Sequence, residues 1–209
     1  MPDIQIRQSI DLLKSLYAAD PHKSIGQDAY ARARLTGGLA TIVEGPSGQH
    51  VATDMPKGIG GSASAATPGW YVRAGIASCT ATVVALRAAE LGIKLSEVEV
   101  RVESTSDDRG MLGLDDSIPP GPLSAVMAVR IAAPDSSEET LRALVSWAVA
   151  HSPMADALSR AVRLDVAVDV GQQAINLLSG QQRDQGGEGP AATQPGAETP
   201  PPPVGRPRA

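Results

Sequence analysis

The chain contains no phenylalanine, and only two tryptophans and three tyrosines among 209 residues. Its core must be filled by Leu, Val, Ile, Ala and Met, and little aromatic surface is left on which unpaired bases could stack. A single cysteine, Cys79, excludes an intramolecular disulfide and any multi-cysteine zinc site. The three histidines, at 22, 50 and 151, lack ligand spacing, so neither a metal nor a cofactor is expected. Basic charge is also in deficit, with 18 Lys and Arg against 23 Asp and Glu. Phosphate contacts need a basic face, so no nucleic-acid partner is expected. The N-terminus carries early charges and no apolar signal segment. Between Arg73 and Arg87 lie 13 uncharged residues, short of the roughly 20 that span a bilayer. A soluble cytoplasmic protein with no membrane partner is the resulting expectation.

What the chain does have is a 42% hydrophobic, 20% charged mix typical of a globular domain. Residues 4–17 show a rough amphipathic pattern, and 1–27 reads as a helical or irregular extension. Alternation in 28–35 predicts a strand whose wet face carries Tyr30, Arg32 and Arg34. A second strand follows a Gly-Gly turn over 39–45, and a third covers 50–55. Residues 56–65 are Gly- and Ser-rich and predict a loop.

The segment "TPGWYVRAGIASCTATVVALRAAELGI" has strong helix punctuation. Thr67 is a good N-cap, Pro68 fits the first helical position, and Gly92 fits the end, which predicts a helix over 68–91. Around Cys79 its residues are small or apolar on every face, the pattern of a helix buried on all sides. Such burial calls for a second subunit. Strands are predicted at 97–105 and 123–133, separated by a long loop bearing Asp107, Asp108, Asp115 and Asp116. These aspartates lack the spacing of a calcium loop. A capping box from Ser136 to Glu139 opens a further helix. Ser152 before Pro153 reads as the N-cap of a short helix, 153–161, and His151 as a surface residue at the helix end. "VRLDVAVDV" at 162–170 predicts a last strand. Residues 171–180 form a C-terminal extension. From 181 the chain is Pro- and Gly-rich with hardly any apolar side chain, the composition of a disordered tail.

Element order and local motifs together resemble the OsmC/Ohr superfamily of osmotically inducible and organic-hydroperoxide-resistance proteins. "ARLTGGLATIVEG" is similar to the family's N-terminal strand pair, and the Cys79 segment to its central helix. "EVRVESTSDDRGMLGLDDSIPPG" is similar to the strand and loop that follow, and "AHSPMADALSRAVRLDVAVDV" to the region of the second family cysteine. The resemblance covers about residues 28–170. It implies an α+β fold, with antiparallel sheets wrapped around a long Cys-bearing helix in an intertwined homodimer. It also implies reduction of hydroperoxides by a cysteine thiolate, with an external thiol or dithiol as reductant. Cys79 matches the attacking cysteine. Ser152 stands at the second cysteine's place and cannot form the disulfide. Gly69 stands where the peroxidase branch has a glutamate, and Leu39 where it has an arginine.

Thiolate, not thiol, attacks a peroxide, and an ordinary thiol ionises near pH 8.5 (roughly), so a positive neighbour is needed. On an ideal helix Cys79 shares an apolar stripe with Val72, Ile76, Val83 and Leu86. Arg73, about 120° away round the helix, points elsewhere. Arg32 and Arg34 are the candidate thiolate stabilisers; as residues alone, they read first as the wet face of a strand. Two functions remain open. One is a one-cysteine hydroperoxide reductase. The other is a non-catalytic dimer that binds a small apolar ligand in its interface pocket.

Overall fold

The computed structural model describes residues 2–160 and 162–170. The chain divides into two units, Met1–Val162 and Arg163–Ala209, and the elements below all lie in the first. The expected extension at 171–180 and tail at 181–209 lie outside the described residues.

The architecture is α+β, with two antiparallel sheets and one long helix. Helix α1 (Pro2–Ala19) precedes a sheet of β1 (Arg32–Gly37), β2 (Ala40–Glu44) and β3 (His50–Thr53), ordered β1-β2-β3. Helix α2 (Pro68–Leu91) leads to the hairpin of β4 (Glu97–Ser106) and β5 (Pro122–Ala132), whose connection holds the short α3 (Asp108–Met111). Helices α4 (Glu138–Ala150) and α5 (Pro153–Ser159) complete the unit.

The ends of α2 follow from its sequence. The Thr67 hydroxyl accepts from the Trp70 amide, and Gly92 adopts φ 71°, a left-handed conformation open to glycine. The Ile93 amide donates to the Ala88 carbonyl at 2.8 Å, closing the last turn. Within the single chain α2 is not buried on all sides. Ile76, Thr80, Val84 and Ala88 form a buried stripe at four-residue spacing. Val72 is 50% and Leu86 38% exposed on the other side. The stripe packs against β4 and α4, where Val84, Ala88, Leu144 and Ala148 make the core. Burying a Val or Leu side chain is worth about 1.5–3 kcal/mol. Only α2, among the described helices, is long and apolar enough to cross a membrane. Its buried stripe accounts for that composition as that of a core helix.

β4 alternates as the sequence predicts, with Val98, Val100, Val102 and Ser104 facing inward. β1 begins at Arg32 rather than 28, because β2 offers no partner beyond Glu44, which lies opposite Arg32. All of β1 is exposed. The Tyr71 hydroxyl donates to the Ala52 carbonyl at 3.0 Å, tying this sheet to α2. The cap of α4 is Ser137, not Ser136: its hydroxyl accepts from the Thr140 amide at 3.2 Å. Residues 162–170 form no strand, in contrast to the sequence expectation. Leu164, Val166, Val168 and Val170 are largely exposed. Alternation supplies one apolar face, but a strand also needs a neighbour for its backbone groups, and among the described residues none pairs with this segment.

Candidate functional site

Cys79 lies halfway along α2, one residue before the buried Thr80, and is partly accessible. It sits at the edge between the buried stripe and the exposed face. The thiol is therefore neither enclosed in a dry core nor free in solvent.

Ser152 is fully buried, but its side chain does not cap α5. Its hydroxyl instead meets that of Thr80, Oγ to Oγ1, at 3.1 Å. Both groups are shut off from water, and a buried hydroxyl without a partner is costly. The interaction across the α2–α5 contact overrides the local cap. Ser152 is thus brought against α2 at Thr80, the residue that follows Cys79 in the chain. A threonine in an otherwise apolar stripe was the sequence signal for such a partner.

Arg32 and Arg34 both reach the same carboxylate, Glu44, at 3.8 and 2.5 Å. Two guanidiniums on one carboxylate leave net positive charge on the exposed β1–β2 hairpin. Leu39, in the turn of that hairpin, is 40% exposed.

A cavity of about 290 Å³ lies beside the first half of α2, lined by Val72, Ile76, Val102, Met111 and Leu158. Gly69, Ser104 and Asp108 also line it, and so does Arg73. Arg73 therefore shares the ground occupied by Val72 and Ile76 instead of pointing away from the stripe. Long helical side chains lean toward the N-terminus, and this takes its guanidinium to Ser104 Oγ, at 3.2 Å.

Two further clusters were not legible as units. Asp54 is buried, and its carboxylate accepts from the amides of Met55, Ser62 and Ser64 and from the Ser64 hydroxyl at 2.7–3.1 Å. Led by the Ser64 amide and hydroxyl, these bonds hold its carboxyl below the usual range. The Gly- and Ser-rich loop before α2 is wound around this group. The wrapping is tight: a Cβ at Gly61 would lie 1.9 Å from the Met55 carbonyl oxygen. At the other end of α2, Glu90 accepts from Lys14 of α1 and from Arg87. Lys14, then Arg87, hold Glu90 below its ordinary value. Arg87 lies 4.5 Å from the Trp147 ring centre, and His151 stacks on Trp147 at 3.9 Å. His151 is exposed, as expected. Asp107 and Asp115 are occupied locally, by Arg109 and Ser117 respectively.

Residues 61–167 match the family model for OsmC-like protein. The chain belongs to the OsmC-like family. Among solved structures it is similar to an OsmC-like protein from Mycoplasma pneumoniae (16% identity, 65% of this chain and 89% of that one, TM-score 0.55). An OsmC-like protein of unknown function from Vibrio cholerae matches at 11% identity over 63% of this chain and 94% of that one, with TM-score 0.54. An organic hydroperoxide resistance protein from Legionella pneumophila matches at 22% identity, 64% and 90% coverage, and TM-score 0.49. No curated protein matches the chain. At these identities the structural likeness establishes the fold alone. Within the OsmC-like family, the chain's own residues at the site carry the functional argument.

Proposed function

We propose that this OsmC-like chain is a thiol-dependent hydroperoxide reductase of one-cysteine type, acting in cytoplasmic defence against oxidative stress. The observation that carries the reading is the setting of Cys79. It is a partly accessible thiol on the long helix, one turn from the Ile76 wall of an apolar cavity, and the next residue, Thr80, is held by the Ser152 hydroxyl where a second sulfur would be expected. The Cys79 thiolate attacks the outer peroxide oxygen, the O–O bond breaks, and an alcohol leaves after taking a proton. Cys79 becomes a sulfenic acid. An external thiol condenses with it, releasing water. A second thiol then frees Cys79 and departs as the oxidised disulfide of the reductant.

The reading includes an intertwined homodimer. The exposed β1 strand and the exposed face of α2 support it. In such a dimer the net positive β1–β2 hairpin, with Arg32 and Arg34, supplies the charge that stabilises the thiolate. The test is turnover of cumene hydroperoxide with a dithiol, together with trapping of the sulfenic acid by mass spectrometry. Cys79→Ser should abolish both. Equal rates in the two proteins would end the reading.

A second reading, a non-catalytic binding dimer, is favoured by one observation: within the protomer Arg32 and Arg34 are engaged by Glu44. It predicts no sulfenic acid on Cys79 under the same conditions.

A further inference from the structure

Eleven arginines fall among the described residues, and ten of them form an ion pair. Arg73 is the exception. It is half-buried, it lines a cavity whose other walls are mainly apolar, and among the described residues its hydrogen-bond partner is the neutral hydroxyl of Ser104. Asp108 also lines the cavity but forms no ion pair with Arg73. A half-buried guanidinium facing mainly apolar walls is stabilised by a counter-charge placed within its reach. It has five N–H donors in a planar fork, the geometry that takes a carboxylate in two parallel bonds. The helix position able to supply a carboxylate from within the chain is vacant. Gly69 lies one turn before Arg73, and a Cβ built there would sit 3.8 Å from Arg73 Nη1.

We infer that this cavity binds a small organic carboxylate, with the carboxylate on Arg73 and an apolar body against Val72, Ile76, Val102 and Met111. The charge balance favours a monoanion. Among the described residues of one chain Arg73 is the one cation lining the cavity, and Asp108 on its wall opposes a second negative charge on the ligand. At roughly 30 Å³ for each water-sized group, 290 Å³ holds about ten non-hydrogen atoms. A straight-chain acid of about eight carbons fits that allowance.

The test is calorimetric titration of the full chain with octanoate, with octanamide as a neutral isostere. Octanoate carries no peroxide, so its binding reports on the cavity and not on Cys79. Octanoate should bind saturably. Octanamide, and octanoate on Arg73→Gln, should each bind tenfold more weakly or worse, about 1.4 kcal/mol. Arg142→Gln on the exposed α4 should bind as the wild type does. Gly69→Glu gives an independent check. Its new carboxylate, four residues before Arg73 and in the first turn of α2, is placed to pair with the guanidinium and to stabilise the helix. It should lose octanoate binding while keeping the wild-type circular dichroism. No saturable binding of octanoate at millimolar concentration would overturn the inference. So would octanamide binding as tightly as octanoate, wild-type affinity in Arg73→Gln or Gly69→Glu, or displacement of octanoate by inorganic phosphate at equal concentration.

Discussion

Replacing Ser152 by alanine removes one hydroxyl from a place with no access to water. The direct loss is the 3.1 Å bond to Thr80. The larger effect is on Thr80, whose hydroxyl is left behind at zero exposure. A buried polar group stripped of its partner costs about 1–3 kcal/mol. Back-bonding to the carbonyl four residues earlier in α2 recovers part of this, so about 2 kcal/mol is expected. Thr80→Val should cost a similar amount for the mirror reason, since Ser152 then keeps an unpartnered hydroxyl. Changing both removes the need for a bond, and the double variant should be no worse than either single. Additivity would put it near 4 kcal/mol, so the cycle should show a coupling energy of about 2 kcal/mol. With a urea slope of about 2 kcal/mol/M, each single change lowers the unfolding midpoint by about 1 M, and so does the double. If Ser152 acted as an N-cap, its removal would cost about 1 kcal/mol whatever stands at position 80, and the coupling would vanish. Additive midpoint shifts in the cycle would therefore refute the reasoning.

Asp54 should make stability acid-sensitive. Its carboxyl is held below the ordinary value in the fold, so its contribution is present above that ordinary value and lost as pH falls through the lowered one. Asp54→Asn should be less stable than wild type at neutral pH, and the two should converge on acidification; a constant gap would refute this. Glu90→Gln breaks the link from Lys14 and Arg87 and should cost about 1.5–3 kcal/mol, as for hydrogen bonds to charged groups. The loss should appear first as faster amide exchange in α1, and unchanged exchange there would contradict it. Sedimentation at micromolar concentration should show a dimer, and a folded 21.5 kDa monomer alone would contradict the homodimer.

Features set by local chemistry were legible from the residues. Thr67-Pro68 and Gly92 mark the ends of α2 because caps and left-handed glycines act over one turn. The alternation of Val98, Val100 and Val102 marks β4 because one face of that hairpin is wet. Expectations failed where a distant partner decides. Residues 162–170 have the pattern of a strand but no described neighbour to pair with. Ser152 has the sequence of a cap, and Thr80, 72 residues away, takes its hydroxyl instead. Arg73 was placed by angle alone, yet an arginine is long enough to return to the face its backbone leaves. The winding of the 56–65 loop around Asp54 was hidden because backbone amides, which every sequence supplies, provide three of its four bonds.

The Thr80–Ser152 pair also constrains how Cys79 can work. With Ser152 present, a valine at 80 would strand a hydroxyl in the core, and with Thr80 present an alanine at 152 would do the same. The two positions are physically linked. Together they fill the α2–α5 contact with a neutral bond in place of any sulfur. Since the chain has no other cysteine, an oxidised Cys79 has to be resolved from outside. That requires an approach path to the thiol, and a residue on the buried stripe would not have one. Cys79 lies one position off that stripe, where the helix turns from core toward its exposed face. In the proposed reaction, this half-turned setting would let an apolar peroxide reach the sulfur from one side and a soluble thiol from the other.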